Sequence, residues 1–209
     1  MLTIRSSAYW ILWTAVSVFH FLVYFGSQYL EGEPRTVGWR IDERIPFLPG
    51  FVYVYCSWFV LLLALPLLLN AFAPAVCLRY LIANALDLTV SVSCFLLRPT
   101  TFQRPEPKGR GLTLFAIRTV YRSNHRFLNC APSVHCSLAL LFVFSLLAAP
   151  AVPLALRLGL SAHSLLIVVS TVLVKQHVLL DVVTAIPTAA LCWLLSGLFD
   201  TARWAAQLL

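Results

Sequence analysis

Apolar positions in this chain form long, nearly unbroken runs. They show neither the alternation of a half-buried strand nor the single stripe of a surface helix. Six runs stand out: about Ala8 to Tyr29, Phe51 to Phe72, Ala75 to Leu97, Ser133 to Ala149, Ala155 to Val174 and His177 to Phe199. About 20 apolar residues cross a bilayer as a helix, and an open strand edge cannot face lipid. The pattern therefore predicts an all-α polytopic membrane protein, a bundle of six transmembrane helices. Polar stretches separate the runs: Glu31 to about Gly50, Arg98 to Pro132, Lys175-Gln176, and short turns at Pro74 and from Pro150 to Pro153. No domain-boundary linker interrupts the chain, so residues 1–209 are expected to form a single membrane-embedded domain. The first run follows Arg5 and has no A-x-A-like cleavage site, so it reads as a retained first span.

Composition agrees with this pattern and narrows the function classes. Sixty per cent of the residues are hydrophobic and 11% charged, against roughly 25% charged in a soluble domain. A soluble globular enzyme, a disordered tail and a disulfide scaffold are excluded. Of the six cysteines, Cys56, Cys77, Cys94 and Cys192 lie in apolar runs and read as small buried hydrophobes. Cys130 and Cys136 pair only if their segment faces an oxidising compartment. The net charge of +7 points to a negatively charged partner, a lipid headgroup or a phosphate.

Six spans put the termini on one side and the three polar stretches on the other. Eleven of the 15 basic residues then share the loop face: Arg35, Arg40, Arg44, Arg98, Arg104, Lys108, Arg110, Arg118, Arg122, Arg126 and Lys175. Within the long loop, Leu112, Phe115 and Ile117 alternate with Arg118 and Arg122 at roughly helical spacing, which predicts an interfacial helix. Arg118 or Arg122 reaching an anionic substrate is the functional alternative.

Three segments on that face can carry chemistry. Pro132-Ser133-Val134-His135 opens the fourth run, with Ser133 placed to cap a helix whose N-terminus favours phosphate. His135 in the first turn can give a proton to a departing oxygen. His177 and Asp181 open the sixth run four residues apart, on one face of a helix. The carboxylate can then fix the imidazole tautomer and leave the other nitrogen as nucleophile. Arg98-Pro99 ends the third run, and Arg98 offers a planar fork to phosphate oxygens. Two histidines, one aspartate and fixed cations are equipment for phosphoryl transfer through a phosphohistidine. Carboxylates are too few for a dinuclear site, so no metal and no other cofactor is expected. His20 and His163 have no acidic neighbour at helical spacing and read as structural. His125, beside Arg126, is a minor catalytic candidate. Asn84 and Asp87 sit inside the third run; Asp87 either faces Arg79 or another span, or lines a headgroup cavity.

These segments resemble the type 2 phosphatidic acid phosphatase superfamily of six-span membrane enzymes. Its signature is K-x6-R-P, then P-S-G-H, then S-R-x5-H-x3-D. Here the second block is Pro132-Ser133-Val134-His135, and the third is Ser170-Thr171, five residues, His177, three residues and Asp181. The first survives as Arg98-Pro99, with Ser91 at the lysine position. The resemblance covers the chain from about residue 75 to 199. Val134 replaces the motif glycine and Thr171 the motif arginine. The segment from Asp42 to Pro49 and the P-S-x-H block look like the branch that includes inositol phosphorylceramide synthase relatives. The resemblance implies attack by His177, orientation by Asp181 and protonation of the leaving oxygen by His135. Arg98, Ser133, Val134, Lys175 and Arg122 are the expected phosphate-binding residues, with Lys175, Arg98 and Arg122 standing in for the two missing motif cations.

The expected partners are the bilayer and a lipid phosphate, with no nucleic acid. Water as acceptor makes the chain a phosphatase, an alcohol makes it a phosphotransferase, and a binding or transport protein that kept the fold is the non-catalytic alternative. The positive-inside rule places the loop face in the cytoplasm. The resemblance implies an extracytoplasmic site with cytoplasmic termini. The extracytoplasmic placement is preferred, because part of the loop charge serves phosphate.

Overall fold

The computed structural model describes residues 7–30, 32–124 and 128–208. Arg5, His125 and Arg126 lie outside the described residues. The fold is all-α, with eight α-helices among the described residues: α1 (Ser7–Ser27), α2 (Val52–Phe72), α3 (Pro74–Leu97), α4 (Leu112–Arg122), α5 (Val134–Leu147), α6 (Leu154–Leu173), α7 (Leu179–Ser196) and α8 (Thr201–Leu208). Five of them, α1, α2, α3, α6 and α7, are long and apolar enough to cross a bilayer, as in a multi-pass membrane protein. In hydrocarbon each backbone N–H and C=O needs an internal partner, and the helix supplies it within one segment.

The fourth apolar run is shorter than its sequence predicts. α5 has 14 residues, which at about 1.5 Å per residue falls well short of a bilayer core. It is also the most enclosed helix. It packs against α3, α6 and α7, and Leu138, Ala139, Leu141 and Phe142 are fully buried. Ser137, Ala139 and Ser145 keep its surface small where neighbours approach. α4 forms where the charge spacing predicts an interfacial helix.

Polar groups inside the bundle join helices. Ser137 Oγ donates to Asp87 Oδ2 at 2.7 Å, tying α5 to α3. Asp87 therefore faces α5, not Arg79, and is fully buried. Arg79 instead serves the C-terminal end of α7: its Nη2 donates to Trp193 O at 2.9 Å, and its guanidinium lies 4.0 Å from the Trp193 ring centre. A cation there meets carbonyls that the helix leaves unpaired. His20 Nδ1 lies 3.2 Å from Asn84 Oδ1, and His163 Nε2 lies 2.8 Å from Ser57 Oγ. Ser137→Ala strips a buried carboxylate of the one donor it has among the described residues and is expected to cost about 1–3 kcal/mol. A lower thermal midpoint in detergent checks this; an unchanged midpoint refutes the role given to Ser137.

The three polar stretches meet at one end of the bundle. β1 (Arg35–Thr36) pairs in parallel with β2 (Thr100–Thr101), joining the first loop to the second. Leu48 N–H donates to Leu173 O at 2.9 Å, and Tyr121 Oη donates to Val174 O at 2.8 Å. Both contacts bring the loops onto the turn between α6 and α7. No periodicity in the sequence announces the β1–β2 pairing, because two residues per strand are too few to show one.

Candidate active site

The turn after α6 delivers His177. Lys175 adopts a left-handed backbone, φ 53°, which reverses the chain at a position that favours glycine or asparagine. Its side chain holds the reversal in place, with Nζ donating to Asp42 O at 2.8 Å and to Ile45 O at 2.6 Å. Thr171 O accepts the N–H groups of Gln176 and His177. Burial lowers the Lys175 pKa, and Asp42 partly offsets that.

His177 stands before α7, not on it. The N-cap is Val178, and Asp181 occupies the third helical position. The expected same-face helical pair is therefore replaced by a capping contact. Asp181 Oδ2 accepts the Val178 N–H at 3.2 Å and lies 3.0 Å from His177 Nδ1. A carboxylate only accepts, so Nδ1 carries the proton and Nε2 is left with its lone pair. Asp181 is fully buried and His177 is 5% exposed. Asp42 adds a second support that sequence reasoning missed: its Oδ1 accepts the Leu179 N–H at 2.8 Å, a further N-terminal donor of α7.

His135 arrives from the other side, in the first turn of α5. Ser133 caps that helix, its Oγ accepting the Cys136 N–H at 3.2 Å. Ser133 N–H donates to Asp181 O, so the two chemical segments are bonded to each other. Cys136 keeps a free thiol 3.4 Å from Thr171 Oγ1. Stacking holds the His135 ring: Tyr55 lies 4.7 Å away at 19° and Trp58 4.3 Å away at 34°. Among the described residues neither ring nitrogen of His135 has a hydrogen-bond partner, although the residue is only 7% exposed. The two histidine ring centres are 6.0 Å apart.

The phosphate-binding candidates divide. Lys175 lines a loop-face cavity of about 760 Å³ together with His177, Arg40, Arg44, Asp42 and Glu43. Val134 presents the N-terminal end of α5, where the first N–H groups lack helical partners. Ser133 is fully buried and occupied as a cap. Arg98 and Arg122 are exposed and line neither this cavity nor the one beside His135. Arg118 bonds Gly109 O and Pro107 O, so it braces its own loop. Thr171, at the motif-arginine position, is fully buried, and its hydroxyl donates to Val168 O.

Arg104 is a half-buried loop cation that sequence reasoning did not single out; it lines a separate pocket with Phe102 and Tyr121, and it meets the histidine segment through Gln176. Its Nη2 donates to Gln176 O, the carbonyl just before His177, at 3.4 Å. Its guanidinium lies 5.0 Å from the Phe102 ring centre and 5.5 Å from that of Tyr121. Burial lowers its pKa, while Tyr55, Tyr121 and Cys130 nearby favour the charge. Burial pushes the Tyr121 hydroxyl up to about 12, with Arg104 pulling the other way. The signal was present, since Arg104-Pro105 is a second Arg-Pro pair six residues after Arg98-Pro99.

Comparison of the chain with protein-family models, curated proteins and solved structures finds no match. Among the described residues no three of His, Cys, Asp and Glu converge as a metal cluster. The arrangement that remains is an oriented imidazole, a second imidazole with open nitrogens, a helix N-terminus and nearby cations.

Proposed function

We propose that this chain is a membrane-embedded phosphatase that hydrolyses a phosphomonoester or diphosphate lipid through a phosphohistidine on His177. The observation that carries this reading is the histidine pair: His177 held through Nδ1 by Asp181, and His135 with its ring centre 6.0 Å from that of His177 and, among the described residues, no hydrogen-bond partner on either nitrogen. His177 Nε2 attacks phosphorus, and the P–O bond to the lipid breaks. His135 gives its proton to the departing oxygen. Arg104 and the N-terminal N–H groups of α5 offset the charge of the transferring phosphoryl. Water taken from the loop face then releases phosphate from His177. In this reading α5 is the sixth crossing, its shortness tolerated because other helices surround it. The loop face is extracytoplasmic, in the cell membrane.

The cavity of about 760 Å³ beside His177 favours one second reading. It has room for an acceptor larger than water, such as a polar alcohol, which would make the protein a lipid phosphotransferase. Purified protein incubated with a panel of lipid phosphates and diphosphates is expected to release inorganic phosphate, and His177→Ala to release none. A new phosphorylated lipid in place of free phosphate would favour the transferase. No product of either kind across the panel would end the catalytic reading.

A further inference from the structure

The two faces of α4 have different surroundings. On the inner face Ile117 is fully buried and Tyr121 is 7% exposed. Ile117, which the chain pattern groups with Leu112 and Phe115, therefore packs into the bundle instead of joining them. On the outer face Leu112 and Phe115 are 74% and 64% exposed. Thr119 and Arg122, both exposed, continue that row at helical spacing. Two large apolar side chains three residues apart on one helix face form a single patch.

The position of the helix says where that patch lies. Thr113 Oγ1 is 3.0 Å from Tyr53 Oη. Tyr53 stands in the first turn of α2, at the start of a segment long and apolar enough to cross a bilayer. The start of a span is the lipid–water boundary, the depth at which tyrosine is enriched. At the other end of α4, Tyr121 Oη donates to Val174 O at 2.8 Å, just past the end of α6, a second such segment. Both anchors hold α4 at the level where spans begin and end.

Charge says what the patch meets there. Residues 108–122 contain Lys108, Arg110, Arg118 and Arg122 and no carboxylate. Arg118 is engaged with Gly109 O and Pro107 O, whereas Lys108, Arg110 and Arg122 are exposed. Cations at both ends of an apolar patch complement an anionic lipid surface. A neutral surface would leave them without a counter-charge.

We infer that α4 docks on the anionic headgroups of the surrounding bilayer. Leu112 and Phe115 insert toward the acyl boundary, to a depth of about 5–10 Å as in other interfacial helices, and Lys108, Arg110 and Arg122 meet the lipid phosphates. These lipids form a surface and are not the substrate, so the docking stands whether or not the chain is a phosphatase.

The test reconstitutes the full chain in nanodiscs of phosphatidylcholine and phosphatidylglycerol, mixed three parts to one. Phe115 is replaced by the photoreactive residue p-benzoylphenylalanine, and its adducts are identified by mass spectrometry. Lipid adducts are expected, with phosphatidylglycerol enriched about threefold or more over its share of the lipid. The double variant Arg110→Gln with Arg122→Gln is expected to return the ratio to that share while lipid adducts persist. If the double variant does not fold, NaCl raised to about 0.5 M decides, because screening of surface charge should have the same effect. Adducts with protein, or the absence of any lipid adduct, would overturn the docking. Phosphatidylglycerol captured only in proportion to its share at low salt, or an enrichment that salt leaves unchanged, would overturn recognition by charge. None of these readings uses phosphate release, so failure of the docking and failure of the phosphatase are separate results.

Discussion

Turnover of a lipid phosphate is expected to fall by about 10⁴-fold or more in His177→Ala, a loss of the size seen when a covalent nucleophile is removed. The ring makes one described hydrogen bond, to Asp181, and borders an open cavity. Removing it leaves the α7 cap intact, because Asp181 still accepts the Val178 N–H. The thermal midpoint should therefore stay close to wild type while activity disappears. Rapid acid-free quenching with radiolabelled substrate adds a direct reading: wild-type protein should carry label on His177, and the alanine variant should carry none. A variant that keeps a tenth of the wild-type rate would refute nucleophilic attack by His177.

The second large effect is at Arg104. Arg104→Leu is expected to lower kcat/KM by about 10²–10³-fold, the usual cost of removing a charge-stabilising donor from a transition state. Arg104→Lys should recover only part of this, because an ammonium lacks the planar fork. Arg98→Ala and Arg122→Ala are expected to stay within about threefold of wild type, since exposed, solvated cations contribute little. This ordering separates a phosphate cradle from a general basic surface. Equal losses at Arg98, Arg104 and Arg122 would show that net loop charge, not one placed guanidinium, does the binding. The KM and kcat values divide the effect further: a change confined to KM would make Arg104 a ground-state anchor.

The site was partly legible along the chain. Ser133 as a cap, His135 in a first turn and His177 four residues before Asp181 are local relations, and each appears in the fold at its expected spacing. Even there the reason differs. The His177–Asp181 contact was expected from one helical face, yet it arises because Asp181 turns back as a capping residue while His177 stands outside the helix. Spacing preserved the pair although the backbone around it is not the one assumed. The cations were not legible. Arg98 has the better motif position but ends exposed at the close of α3, whereas Arg104 is carried inward against Gln176. Nothing in a one-dimensional pattern separates two Arg-Pro pairs six residues apart.

What the sequence by itself determined was the solvent of the protein and the helical character of its spans. Long apolar runs require lipid and force helices, since the backbone must satisfy itself locally. Only the tertiary structure decided that Arg104 bonds the carbonyl just before His177, that Lys175 braces a backbone reversal and that Asp42 caps α7. Each of these depends on contacts between residues far apart in the chain, such as Lys175 with Asp42 or Arg104 with Gln176. Apolar periodicity reports how one helix meets its surroundings. It carries no information about which loop folds over which, because those loops are held by a few individual hydrogen bonds and not by a repeating pattern.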